Sequence, residues 1–119
     1  MADKGPPYDS LRTYIQFTER DYIQNHLGQC KPGESILLIR EKTSFKDANA
    51  IKVFDSNSCM LGYILTDIAK IIAPLIDADR SVTAKVSEIN KIGGEYHCLI
   101  EIKVEGVIWG AYKNPIFKE

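Results

Sequence analysis

Apolar and polar positions along this chain change their period twice. Leu11, Thr13, Ile15 and Phe17 alternate with Arg12, Tyr14 and Gln16, the period-two pattern of a half-buried strand. From Thr18 to Gly28 the pattern weakens: Tyr22, Ile23 and Leu27 give only a narrow stripe. Thr18 is placed to cap, and Gly28 to end, a loop with at most one or two helical turns. The turn chemistry of Lys31-Pro32-Gly33 precedes an apolar run from Ser35 to Arg40, and two more short strands follow over Ala50 to Phe54 and Met60 to Leu65. The polar cluster Asp55 to Ser58 between them reads as a hairpin loop.

After Tyr63 the period lengthens. Ile68, Ile71, Ile72, Leu75 and Ile76 recur at helical spacing behind Thr66, which stands where an N-cap belongs. This predicts one amphipathic helix over Thr66 to Asp77. Pro74 removes a ladder hydrogen bond and crowds the carbonyl of residue 70, so its last turn is expected to bend or separate. Alternation then returns: Val82, Ala84 and Val86, a turn over Lys91 to Gly94, and Tyr96, Cys98, Ile100, Ile102 and Val104 on one face, which is a long hairpin. Gly106 breaks it, and Val107-Ile108-Trp109 is expected as a last strand before a polar tail with Pro115. Seven strands and one main helix predict a mainly β fold with one or two helices, an antiparallel barrel closed or nearly so, since closure removes exposed edges.

With 119 residues the chain has the size of one domain with its own core. The first ten residues carry Gly5-Pro6-Pro7 and read as a flexible arm, which leaves 11–119 as a single domain. Hydrophobic residues make up 45% and charged residues 26%, values of a folding protein rather than a disordered one. The net charge of -1 excludes a broadly basic nucleic-acid binder, so any such site must be small and local. Cys30, Cys59 and Cys98 are odd in number and lack a C-x-x-C pair, which favours reduced thiols over a disulfide framework or a zinc site. No secretion signal or apolar span stands out, which points to an intracellular protein without membrane contact.

Catalytic patterns are missing. No G-x-S-x-G, P-loop, G-x-G-x-x-G or H-E-x-x-H occurs, and His26 and His97 read as ordinary half-buried or surface histidines. No enzymatic activity, metal or cofactor is expected. The stretch from Arg40 to Lys52 stands apart, because Arg40, Lys42, Lys46 and Lys52 outnumber Glu41 and Asp47. Two readings fit it: a small basic binding patch, or a solvated connection in which Asp47 and Asn49 turn back on their own backbone.

The residues from Arg40 onward resemble a known family. Arg40, then Asp47-Ala-Asn49-Ala-Ile51-Lys-Val53, then Leu61-Gly62-Tyr63-Ile64, and Ala73-Pro74-Leu75-Ile76-Asp77 are similar to the HIRAN domain. Its pattern runs through an N-P-Y-D-x-N-A-I/V-x-V element, a glycine-histidine/tyrosine strand and an apolar helix ending A-P-L-L-D. The likeness covers about residues 33 to 86. It implies an OB-like β-barrel that binds the free 3′ end of single-stranded DNA, a module of DNA repair found in fork-remodelling helicases and nucleases and also alone.

In that likeness Asp47 takes the place of the aspartate that accepts a hydrogen bond from the terminal 3′-hydroxyl, Asn49 shapes the turn, and Tyr63 contacts a phosphate or base. Two positions depart from the pattern. Lys46 stands where the family has an aromatic residue and Phe45 where it has proline, so a stacking platform is either lost or moved to Phe45. The family's arginine-aromatic element falls either on Arg20 and Tyr22, the preferred placement, or on Asn25 and His26. The implied DNA-binding set is Arg20, Tyr22, Phe45, Lys46, Asp47 and Tyr63, with single-stranded DNA as ligand and a helicase or nuclease as possible partner. The alternative is a protein-interaction module that kept the barrel and lost the DNA site, with Val107, Ile108, Trp109 and Tyr112 as its surface.

Overall fold

The computed structural model describes residues 10–43 and 47–109. The expected arm (residues 1–9), Phe45, Lys46, Tyr112 and Pro115 lie outside them. Six strands and two helices follow in the order β1 (Leu11–Tyr14), α1 (Asp21–Leu27), β2 (Ser35–Arg40), β3 (Ile51–Phe54), β4 (Met60–Tyr63), α2 (Thr66–Asp77), β5 (Val82–Ile92) and β6 (Glu95–Val104). One sheet runs β1-β6-β5-β2-β3-β4, antiparallel at every pair.

The sheet curls until its two edges touch. Ile15 donates its N–H to the Cys98 carbonyl (3.0 Å), extending the β1–β6 ladder by one residue. The next residue, Gln16, bonds instead to the far edge. Its N–H reaches the Tyr63 carbonyl at 2.8 Å and its carbonyl accepts from Tyr63 N–H at 3.0 Å. The chain therefore crosses from one edge strand to the other within a single residue, which brings a mostly antiparallel OB-like barrel near closure. Gly62 makes the crossing possible. Its φ is +148°, and a Cβ there would collide with the Gln16 carbonyl and come within 2.7 Å of Ile15 Cγ2.

Alternation places the core as the sequence predicts. Ile36, Ile51, Val53, Leu61, Ile100, Ile102 and Val104 point inward, with Leu11 and Ile15 beside them. Helix α2 adds the stripe Ile68, Ala69, Ile72 and Ala73, which excludes water from one end of the curled sheet. The β5–β6 hairpin closes on Gly93 and Gly94, both at positive φ (59° and 85°), as a tight two-residue turn requires.

Four expectations need correction. Thr66 is the first helical residue, while Leu65 occupies the cap position with no side-chain bond. The helix also runs unbroken through Pro74 to Asp77, giving up the one ladder bond to the carbonyl of residue 70. Val107-Ile108-Trp109 forms no strand. Val107 and Trp109 instead pack into the core, so they cannot serve as a partner surface. The strand expected to reach Phe17 ends at Tyr14, and the chain turns at Phe17 into a left-handed conformation (φ 61°).

Candidate nucleic-acid interface

That turn exposes a large aromatic ring. Phe17 is 68% exposed, although its place in the alternation predicts a buried one. An aromatic residue in left-handed geometry is uncommon and strained; here the crossing at Gln16 holds it there. The Phe17 ring meets the Tyr63 ring edge to face, with centroids 6.0 Å apart and planes at 84°, a favourable aromatic arrangement.

Helix α1 brings a third ring to this face. Ile23 and Leu27, four residues apart, bury its inner side. Gln24 then fixes its position by pairing with the backbone of β6: Tyr96 N–H donates to Gln24 Oε1 (2.8 Å), and Gln24 Nε2 donates to the carbonyls of Tyr96 (3.1 Å) and Thr18 (2.7 Å). Thr18 therefore contributes a backbone carbonyl here and caps no helix. Arg20 holds the N-cap position, exposed, and Tyr22 in the first turn is half exposed. Tyr22 is close enough to Tyr63 to act on its hydroxyl electrostatically.

Tyr63 lies opposite Lys52 in β3, and Glu41 connects the two. A hydrogen bond to Glu41 raises the Tyr63 hydroxyl above its ordinary pKa, with burial and the Glu41 charge adding to it. The Lys52 ammonium sits 3.9 Å from the same carboxylate. Glu41 also begins the β2–β3 loop that carries Asp47, so this loop and the aromatic face meet at one end of the barrel.

Within the loop, Asp47 makes the turn expected of it. Its Oδ1 accepts the Asn49 N–H at 2.9 Å, and its carbonyl accepts the Ala50 N–H at 3.1 Å. The Ala50 carbonyl in turn receives the Glu41 N–H (2.9 Å) and Arg40 Nη1 (3.1 Å). Arg40 continues to the end of α2, where Nε and Nη2 grip both oxygens of Asp77 at 3.1 and 3.2 Å. That fork geometry holds the Asp77 carboxyl below its usual range. Lys42 lies 3.7 Å from the same group. The local cation excess is thus largely matched by acids, and Arg40 acts as a latch between loop and helix.

Of the implied set, the structure brings Tyr22 near Tyr63, sets Arg20 at the N-cap of α1 two residues before Tyr22 and places Asp47 on the β2–β3 loop. Phe45 and Lys46 lie outside the described residues. Phe17 is the ring that sequence reasoning missed, and Lys52 is a cation it left in the general patch. On another part of the barrel, metal-ligating atoms come together in two groups that share Asp55: His26, Asp55 and Cys59, and Cys30, Glu34 and Asp55.

A family model for the HIRAN domain matches residues 11–113. The chain belongs to the HIRAN domain family. HIRAN domains are nucleic-acid-binding modules, and the curled barrel has the form of solved examples. The HIRAN domain of human HLTF superposes with a TM-score of 0.62 at 18% identity, covering 81% of this chain and 74% of that one. A protein from Lactobacillus plantarum gives 0.64 at 24% identity, covering 80% and 92%. At these identities the likeness is one of fold. A Fanconi-associated nuclease 1 homolog of Arabidopsis thaliana is 49% identical over 45 residues, 38% of this chain but 5% of that protein's length. Among the described residues no helix is long and apolar enough to cross a membrane.

Proposed function

We propose that this HIRAN domain binds single-stranded DNA at its free 3′-hydroxyl end. The observation that carries the reading is the aromatic group formed by exposed Phe17, half-exposed Tyr22 and half-buried Tyr63 beside the Asp47 loop. Rings left open to solvent by a strained turn and a docked helix suit stacking on unpaired bases, worth about 1 to 3 kcal/mol per base. Phe17 thus supplies the platform that Lys46 removes from the family pattern.

Each group then has a role. The terminal base stacks on the rings, and Arg20 and Lys52 meet phosphates. The carboxylate of Asp47 accepts a short, charge-assisted hydrogen bond from the 3′-hydroxyl and repels a terminal phosphate at the same place. Because most nearby cations are already matched by acids, affinity comes from stacking and end recognition more than from charge. The module supplies binding and no chemistry; a helicase or nuclease acting on the same DNA end is its natural partner, inside a cell.

Fluorescence anisotropy with a short labelled strand tests this. A strand ending in 3′-hydroxyl should bind more tightly than the same strand ending in 3′-phosphate, and a blunt duplex should bind weakly. Equal affinity for all three would remove the end-recognition reading. One observation favours the alternative, a protein-interaction module: Leu37 and Ile39 on the outer face of β2 are 53% and 43% exposed. Absence of DNA binding at high micromolar protein would turn the assignment to that face.

A further inference from the structure

Side chains with metal-ligating atoms converge where the end of α1 meets the β3–β4 hairpin. His26 lies in the last turn of α1 and Cys30 four residues on; Asp55 opens the hairpin loop and Cys59 closes it. The ligand atoms of His26, Asp55 and Cys59 lie within 4.8 Å of one another, as do those of Cys30, Glu34 and Asp55.

Asp55, which belongs to both groups, is only 6% exposed. A buried carboxylate is costly unless hydrogen bonds or a counter-charge offset its desolvation. Its Oδ1 accepts the N–H groups of Asn57 and Cys59, both at 2.9 Å. Among the described residues no lysine or arginine pairs with it. Its surroundings are instead two thiols, an imidazole and a second carboxylate. Glu34 has both oxygens committed, to Lys31 N–H at 3.2 Å and Ser56 Oγ at 2.8 Å, so it braces the loop from outside.

We propose that His26, Asp55 and Cys59 form a binding site for one zinc-class divalent ion. One imidazole nitrogen, one thiolate and one carboxylate oxygen make a three-donor set that Zn²⁺ accepts, with water as the fourth ligand in four-coordinate geometry. The sulfur donor selects against magnesium and calcium, which prefer oxygen. Binding replaces the thiol proton of Cys59, which leaves to water, and Zn²⁺ against one thiolate and one carboxylate leaves no net charge at the site. Cys59 is half-buried, which leaves an entry path.

The ion would tie α1 to the β3–β4 hairpin. These two segments present Tyr22 and Tyr63, so metal would stiffen the aromatic face, although the site stands whether or not DNA binds there.

The test uses the full chain stripped of metal and titrated with ZnCl₂ and, separately, CoCl₂. The expected result is one equivalent bound per chain, about one proton released per ion at neutral pH, and the intense visible bands of tetrahedral, thiolate-bound Co²⁺. Cys59→Ser and His26→Gln, both at half-buried positions, should each weaken zinc at least about tenfold, with circular dichroism confirming the fold. His97→Gln on β6 should leave binding unchanged. No stoichiometric zinc, a weak octahedral cobalt spectrum, or undiminished affinity in Cys59→Ser would each overturn the site.

Discussion

The Phe17 and Tyr63 rings meet edge to face at 6.0 Å because the residue between Ile15 and Phe17 bonds to the backbone of Tyr63 itself. Barrel closure and ring placement are therefore one event: the backbone crossing that joins the sheet edges also presents the aromatic pair. Phe17→Ala removes a largely exposed ring, so stability should change little. Affinity for single-stranded DNA should fall by about 1 to 3 kcal/mol, five- to over a hundredfold. Titrations of both proteins against one labelled strand, with urea melts alongside, measure the two effects separately.

Closure depends on Gly62. A methyl group there meets the Gln16 carbonyl and Ile15 Cγ2, so Gly62→Ala must part the bridge or shift β4. A loss of order 1 to 3 kcal/mol is expected, read as a lower urea midpoint at 25 °C. DNA binding should weaken too, because the two rings separate when the bridge opens.

The latch between Arg40 and Asp77 makes stability depend on acid pH. Asp77 is held below its usual range mainly by the Arg40 hydrogen bonds, and Glu101 below its own mainly by the Ser10 hydroxyl. In both cases the folded protein binds fewer protons than the unfolded chain as the carboxylates titrate. Their stabilisation is thus complete above the unfolded pKa, near 4, and disappears as pH falls through the lower folded values. Melting temperature should drop steadily below about pH 5. Asp77→Asn should melt lower than the parent at pH 7 and lose less on acidification. The difference will be small, since the pair is exposed to solvent.

Much of this arrangement is legible in the sequence. The alternation of Tyr96 to Val104, the Gly93-Gly94 turn and the i, i+3, i+4 stripe of α2 each encode their element locally, because burial of one face dictates the period. Asp47 and Asn49 likewise announce their turn. Phe17 is different: its alternation continues that of β1, but the exchange of partners at Gln16 is a long-range event that no local pattern records. Arg40 and Lys42 look like free cations until Asp77, far along the chain, comes beside them. The candidate metal donors escaped for the same reason, since Asp55 and Cys59 join His26 only through the fold.

The most direct test of 3′-end recognition crosses one substitution with one end group: anisotropy of wild type and Asp47→Ala against a strand ending in 3′-hydroxyl and in 3′-phosphate. Loss of a hydrogen bond to a charged carboxylate, worth about 1.5 to 3 kcal/mol, should weaken Asp47→Ala on the hydroxyl strand by tenfold or more, while the phosphate strand binds as before or better. Equal losses on both strands would contradict the role of Asp47 and with it the account of the site.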